Sequence, residues 1–221
     1  MFPSNPWIPY RLEKVDLSYN AIPVLTYDIT FGTRKLKQLN VSHNFINDIR
    51  KYVLGNLTSL EVLDLSFNSL SDFQTSESPF NLPENMTHLY MQNNKIFRMD
   101  YEKITELKNI VEVNLENNDL LYLNKTMIDA IKANVTVRFA GNPLTCSCEI
   151  RPLHHFLTSQ SSPPALYEDL VCTHPKHLTG VSLKYVEDKQ LTCSDIEKES
   201  IPEYTHEYEI LPDIRFRDIM L

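Results

Sequence analysis

The chain of 221 residues carries 21 basic and 29 acidic side chains, a net charge of -8, and only four glycines. This balance, which includes no basic stripe, argues against a nucleic-acid partner. The scarcity of glycine argues against the loops that cradle phosphates. No apolar stretch is long enough to span a bilayer, so any membrane attachment has to come from sequence beyond this chain.

The first residues, MFPSNPWIPYRLEKVDLS, have neither the basic start nor the apolar core of a signal peptide. The apolar side chains available there to cover the start of the next segment are Phe2, Trp7, Ile8 and Tyr10. We therefore expect a fragment, the C-terminal part of a longer array whose first unit is uncapped here. The alternative is a short protein in which these residues form a makeshift cover.

An apolar phrase of the form LxxLxLxxNxL recurs along residues 12–144. Each copy ends at an asparagine, 24 to 26 residues after the previous one, at Asn20, Asn44, Asn68, Asn94, Asn118 and Asn142. One unit of this length cannot bury its own apolar positions, so the units must stack into a solenoid with one continuous core. We predict a repeat array over residues 1–145.

The alternation Leu63-Asp64-Leu65 has the period of a short strand with one face in the core. The phrases are therefore expected to pair as parallel strands of a curved sheet, with loops and short helical turns returning on the other side. We expect each asparagine to satisfy backbone groups of adjacent coils, because its amide carries both donors and acceptors. The predicted fold class is α/β.

The residues between the leucines point outward from the predicted concave strand surface and are free to vary. Tyr19, His43 and Phe67 share one register and should form an aromatic column with Tyr90 beside it. Packing of these rings against the turn is the alternative. Exposed aromatics are common at binding hot spots. The predicted ligand-binding set is Tyr19, His43, Phe67, Tyr90, Lys37, Asp64 and Glu116.

All four cysteines come after the array, at positions 146, 148, 172 and 193, and we assign residues 146–194 to a cysteine-rich cap. Four cysteines allow three disulfide connectivities. A zinc site could be drawn from Cys146, Cys148, Cys172, His174 and His177, with His154 and His155 nearby. The CxC spacing suits zinc poorly and leaves Cys193 over, so we predict disulfides and no metal or other cofactor.

Five Asn-x-Ser/Thr sequons occur, at Asn40, Asn56, Asn85, Asn124 and Asn134. With paired cysteines they predict a glycoprotein of the secretory pathway, extracellular or on the cell surface.

Residues 195–221 hold eight acidic and three basic side chains and are expected to be a disordered tail, a packed strand being the alternative. Because no GxSxG or HExxH motif occurs, we predict no enzymatic activity.

The repeat phrase and the segment GNPLTCSCEIRPLHHFL resemble extracellular leucine-rich repeat proteins with a C-terminal cysteine-rich cap. That resemblance implies disulfides Cys146–Cys172 and Cys148–Cys193. The phrases LEKVDLSYNAIPVLTYDITFG and YVLGNLTSLEVLDLSFNSL are similar to chaoptin-type adhesion proteins. This implies adhesion by protein contact, with homophilic contact as one option. The alternative is the ligand-binding ectodomain of a Toll-type innate immune receptor.

Overall fold

A computed structural model describes residues 11–27, 32–50, 53–73, 82–159, 167 and 170–193. The predicted N-terminal cover at positions 2–10 and the predicted acidic tail at 195–221 lie outside these residues. Along the described part of the chain, no helix combines the length and apolar character that crossing a bilayer requires.

Short strands recur at the repeat period. They are β1 (Lys14–Asp16), β2 (Val24–Leu25), β3 (Gln38–Asn40), β4 (Asp48–Ile49), β5 (Val62–Asp64), β6 (Asp72–Phe73), β7 (His88–Tyr90), β8 (Arg98–Met99), β9 (Glu112–Asn114), β10 (Thr136–Arg138), β11 (Leu144–Thr145) and β12 (Cys172–His174). One parallel sheet has the order β1-β3-β5-β7-β9-β10. Small parallel pairs β2-β4 and β6-β8 lie on the side where each coil turns away.

The main sheet is paired in strict register, with Val15 opposite Leu39, Leu39 opposite Leu63 and Leu63 opposite Leu89. These central residues point inward, while their neighbours in the same strands are half-buried or exposed. The alternation has the period of two expected for a strand with one covered face. The predicted α/β solenoid is confirmed, and it places the first and third residues of each strand on one common open face.

Helices occupy the return segments of the later repeats and the cap. They are α1 (Tyr101–Thr105), α2 (Lys125–Lys132) and α3 (Arg151–Ser159). Helix α1 begins at Asp100, whose carboxylate accepts hydrogen bonds from two backbone N–H groups, and the side chain of Asn124 accepts one at the start of α2. These side chains satisfy donors that a helix start leaves unpaired. Short helical turns were expected at both return segments.

The repeated asparagines join successive coils by hydrogen bonds. Asn68 is typical, because its side-chain amide donates to the carbonyls of Val41 in the previous coil and of Leu65 in its own. Its oxygen accepts from the backbone N–H of Ile46 at 2.9 Å. The same pattern recurs at Asn44, Asn94, Asn118 and Asn142. Buried backbone groups that a turn would leave unpaired are thereby satisfied.

The cap closes the last coil of the array. Strand β11 pairs with β12, and the disulfides Cys146–Cys172 and Cys148–Cys193 tie this pair and α3 together. On α3, Leu153 and Leu157 are buried against the same core as the repeats. The hydroxyl of Tyr167 accepts a hydrogen bond from the backbone N–H of Val137 on the last strand of the sheet. An apolar edge that the array would otherwise expose is therefore covered.

Candidate functional site on the concave face and its aromatic rim

The concave face is built from two columns of outward side chains on the in-register strands. One column runs through Lys14, Gln38, Val62, His88, Glu112 and Thr136, and the other through Asp16, Asn40, Asp64, Tyr90, Asn114 and Arg138. Neighbouring members of a column lie on adjacent strands, roughly 5 Å apart. Residues 24 to 26 positions apart in sequence thus form one surface.

A turn motif holds the second column rigid. The side-chain oxygens of Asp16, Asn40 and Asp64 each accept a hydrogen bond from the backbone N–H two residues later, at 2.9 to 3.0 Å. Hydrogen bonds from the hydroxyl and backbone N–H of Ser18 lower the pKa of Asp16, which is therefore charged at neutral pH. Each of these side chains keeps one oxygen tied to the backbone while the group faces the open side.

A shallow groove of about 420 Å³ lies over strands β1, β3 and β5 and reaches Tyr90 on β7. Two carboxylates, Asp16 and Asp64, face it from either side of Asn40, and Lys14 lies at its first strand. Partial burial raises the pKa of Tyr90, and the nearby carboxylates of Glu112 and Asp64 raise it further. The Tyr90 hydroxyl therefore stays protonated and can donate a hydrogen bond to a partner group in the groove.

Two ion pairs lie along the same sheet, outside the residues that line the groove. Lys37 pairs with Glu13 at 3.3 Å, and Arg138 pairs with Glu112 at 2.6 Å. Glu116 is held by a hydrogen bond from the side-chain amide of Asn114 at 3.2 Å. Arg138 was not among the predicted binding residues, because the last repeat is too degenerate for its outward positions to be recognised with ease. Its register opposite Asn114 places it on the same face.

The three predicted aromatic residues form a stacked column. The rings of Tyr19 and His43 lie 4.2 Å apart between centroids with an angle of 8° between planes, and those of His43 and Phe67 lie 4.1 Å apart at 11°. Each residue has a positive φ near 55° and comes three positions after its strand. The column therefore runs along the rim, in the turns where the coils leave the sheet. Tyr90 lies on the strand face instead.

The rim column is open to solvent, since Tyr19 is 77% exposed and Phe67 is 42% exposed. Beside it lies Phe45, which is 64% exposed and was not singled out from the sequence. The signal was present, because Phe45 stands between the buried residues Asn44 and Ile46 and so has to point outward. The binding role of all these residues remains a prediction.

Four of the five sequons lie away from the groove, and Asn40 lies in it. Asn40 lies on β3 at the floor of the groove, and Asn124 caps helix α2. Asn56, Asn85 and Asn134 are exposed and precede strands β5, β7 and β10, on the side where the coils enter the sheet. Their modification remains a prediction.

The cap contains a polar cluster of His154, His155 and Asp188, whose candidate metal-ligating atoms lie within 4.8 Å of one another. Each group has a protein partner. Buried His154 donates from Nε2 to the carbonyl of Val186 at 2.8 Å, and Asp188 contacts both His155 at 2.6 Å and Arg151 at 3.2 Å. The three cysteines of the zinc alternative are all in disulfides, Cys146 with Cys172 and Cys148 with Cys193. This cluster ties α3 to the end of the cap.

Comparisons with known proteins show which family and which proteins this chain resembles. A family model for the leucine rich repeat matches residues 10–72. CD180 antigen of Mus musculus is 26% identical over 188 residues, covering 84% of this chain and 28% of that protein. Toll-like receptor 9 of Mus musculus is 27% identical over 187 residues, covering 84% and 18%. Osteomodulin of Bos taurus is 32% identical over 112 residues, covering 50% and 25%.

A similar fold occurs in the solved octameric complex of Latrophilin 3 (Lec, Olf), Unc5D (Ig, Ig2, TSP1) and FLRT2 (LRR). The TM-score is 0.67 at 23% identity, over 82% of this chain and 55% of the matched chain. The chain spans between 18% and 28% of the length of the three relatives above. This chain therefore carries leucine rich repeats over residues 10–72 and has the leucine-rich repeat solenoid fold, with its four cysteines joined in two disulfides.

Proposed function

We propose that this chain is a non-enzymatic, extracellular protein-binding module whose partner contacts the concave face and its aromatic rim. The observation that carries the proposal is the groove between Asp16, Asp64 and Tyr90, set on a sheet whose inward side chains are buried from Leu39 of β3 onward. Outward residues on such a sheet vary without cost to the core. A broad, shallow and open groove suits a protein surface better than a small molecule, which prefers an enclosed apolar pocket.

The extracellular location rests on chemistry that suits an oxidising compartment. Both disulfides of the cap persist where thiols are not kept reduced. All five sequon asparagines lie at exposed or half-buried positions, which glycosylation requires. Secretion to the cell surface or beyond accounts for both features.

The binding energy is expected to concentrate at Tyr90 and the Tyr19–His43–Phe67 column, with the charges giving orientation. Large, rigid aromatic groups contribute most at protein interfaces. Asp64 is fixed by Ser66 and offers a carboxylate to a donor on the partner. Lys37 and Glu116 lie at the margins, where ion pairs mainly affect association rate and specificity.

Cell adhesion is the form of this function that we favour, through a protein ligand that includes a second copy of the chain as one option. The resemblance of the repeat phrases to chaoptin-type proteins supports it. The experiment is a cell-aggregation assay with the full-length protein, comparing wild type with a Tyr90→Ala, Asp64→Asn double variant. Tyr185→Ala is the matched control, since Tyr185 is an exposed tyrosine of the cap.

Aggregation that the double variant abolishes and the control retains supports adhesion through the concave face. Equal aggregation in all three contradicts the assignment of this face. No aggregation by wild type, at matched surface expression, contradicts adhesion itself.

A ligand-binding receptor ectodomain of Toll type is the second candidate. One observation favours it: the similarity to Toll-like receptor 9 covers 84% of this chain, whereas that to osteomodulin covers 50%. Failure of cell aggregation, together with Tyr90-dependent binding of a soluble ligand by the purified chain, would support this candidate over adhesion.

A further inference from the structure

The first three repeats present a continuous surface where the coils leave the sheet, which we call the aromatic flank. It consists of residues 18–23, 42–47 and 66–71. Backbone hydrogen bonds join its segments, from Phe45 to Ile22 at 3.1 Å and from Ser69 to Ile46 at 2.8 Å. The flank is therefore a rigid face with a fixed shape.

Exposed rings dominate this face. Tyr19, Phe45 and Phe67 are exposed, and the stack through His43 fixes two of them. A side chain already held in one orientation loses little conformational entropy when a partner covers it. Three such rings supply on the order of 500 Å² of contact area, which suits a weak interface at the low end of specific complexes.

The aromatic flank contains no Lys, Arg, Asp or Glu, although 23% of the chain is charged. The matching segments of the next two repeats, 92–97 and 116–121, include Lys95, Glu116 and Asp119. Depletion of charge together with enrichment of aromatic residues is the composition of an interface core. The charge-free composition ends at the third repeat, and the fourth segment carries Lys95 together with the half-buried Phe97.

The flank is also clear of predicted glycans. Asn40 lies on the sheet, Asn124 caps a helix, and the remaining three sequons precede strands on the opposite side of the coils. A partner approaching the aromatic flank meets no carbohydrate there, whereas a glycan on Asn40 would fill part of the concave groove.

We infer that the aromatic flank binds a second copy of this chain. Its accessible polar groups include the side chains of Ser18, Asn20, His43, Asn47 and Ser69 and the Tyr19 hydroxyl. Hydroxyls, amides and imidazoles both donate and accept hydrogen bonds, so they can pair with their own copies. Lysine only donates and carboxylates only accept, so a face that carries one sign of charge repels its copy. The inference rests on the proposed protein-binding function and adds the partner and the surface to it.

The net charge of the chain also favours the aromatic flank over the concave face as the contact between two copies. Two copies at -8 repel each other where their acidic surfaces meet. The concave groove is lined by the carboxylates of Asp16 and Asp64, whereas the aromatic flank adds no acidic side chain to a contact between copies. In a two-fold symmetric dimer, each favourable contact made by a ring also occurs twice.

The test is sedimentation velocity on the full 221-residue chain, secreted behind a heterologous signal peptide. Concentrations up to about 100 µM detect dissociation constants in the micromolar range. Wild type is expected to form a concentration-dependent dimer. Phe45→Glu places like charges across the contact and should raise the dimer dissociation constant more than about tenfold. Tyr185→Glu makes the same change at an exposed ring of the cap and should leave the constant unaltered.

A glycan provides an independent probe of the same surface. Ser69→Asn completes an Asn-x-Ser sequon with Leu70 and Ser71, and occupancy is read by mass. The glycosylated variant is expected to be monomeric, and enzymatic removal of the glycan should restore the dimer. A monomeric wild type, or a dimer insensitive to both changes on the flank, overturns the inference. Such a result leaves binding of another protein at the concave face open to its own assay, so the two failures are distinguishable.

Discussion

The side-chain oxygen of Asn117 lies against Gly141, in the space that a β-carbon on residue 141 would fill. Both residues occupy the rim register that holds Tyr19, His43 and Phe67 in the first repeats, and both have positive φ. Side chains in this register pack onto the next coil, so the last coil has glycine where the earlier coils have rings or amides.

Replacing Gly141 with alanine should lower the free energy of unfolding by about 2 kcal/mol, because the exposed Asn117 side chain has to move away from the added β-carbon and residue 141 takes on the strain of a positive φ. Gly180→Ala is the matched control, since Gly180 has φ of 83° but nothing within 4 Å of an added β-carbon. It should cost only about 1 kcal/mol. Urea unfolding of both variants measures the difference, and equal losses would rule out the packing explanation.

The asparagine ladder gives a second comparison. Asn118→Ala removes bonds to the N–H of Ile96 and to the carbonyls of Met91 and Leu115, leaving buried backbone groups unpaired. We expect a loss of about 2 to 4 kcal/mol in the free energy of unfolding.

Asn20 is exposed and bonds to Leu17 and Ser18 of its own coil, so Asn20→Ala should cost less than about 1 kcal/mol. Thermal unfolding of the two variants under one set of conditions provides the measurement. A larger loss at Asn20 than at Asn118 contradicts the role of the ladder in joining coils.

The cap should depend on its disulfides. Cys146–Cys172 and Cys148–Cys193 are separated by 26 and 45 residues, and removing either by paired serine substitutions should cost about 3 to 4 kcal/mol in the chain-entropy model. Intact mass before and after reduction, with thiols blocked, should show the gain of four thiol groups. An unchanged mass would exclude both crosslinks.

The polar cluster of the cap predicts a pH dependence. The hydrogen bond from His155, aided by the charge of Arg151, lowers the pKa of Asp188 below its ordinary 3.8. Because the folded-state pKa lies below the unfolded one, the stabilisation is fully present above pH 3.8 and is lost as the pH falls through the folded pKa.

Asp188→Asn should therefore lower Tm at about pH 7, and the difference from wild type should shrink towards about pH 2.5. Lys189→Ala is the control, because Lys189 is an exposed neighbour that pairs with Glu187 and lies outside the cluster. A Tm difference for Asp188→Asn that stays constant over this pH range would contradict the assignment.

Much of the architecture is dictated by the repeat itself. The spacing of Leu60, Leu63, Leu65 and Asn68 requires an inward apolar row and a closing turn, and neighbours at the same period require stacking. The repeat also predicted short helical turns on the return side of the coils, where α1 and α2 lie. The degenerate last repeat was harder, because Asn134, Val137 and Phe139 stand where the third repeat has leucines, and this obscures the outward position of Arg138.

The sequence by itself determined the solenoid, its parallel sheet and the inward or outward sense of each strand residue, because those depend on local alternation and a fixed period. Only the tertiary structure decided that Tyr19, His43 and Phe67 lie on the rim. It also decided that Tyr90 faces a groove with Asp16 and Asp64. In the cap, it decided that His154 is buried while His155 is exposed. The rim and the groove depend on how residues 24 or more positions apart meet across coils, and the two histidines depend on how the end of the cap packs on α3. Those contacts are set by strand register and turn geometry rather than by any local pattern.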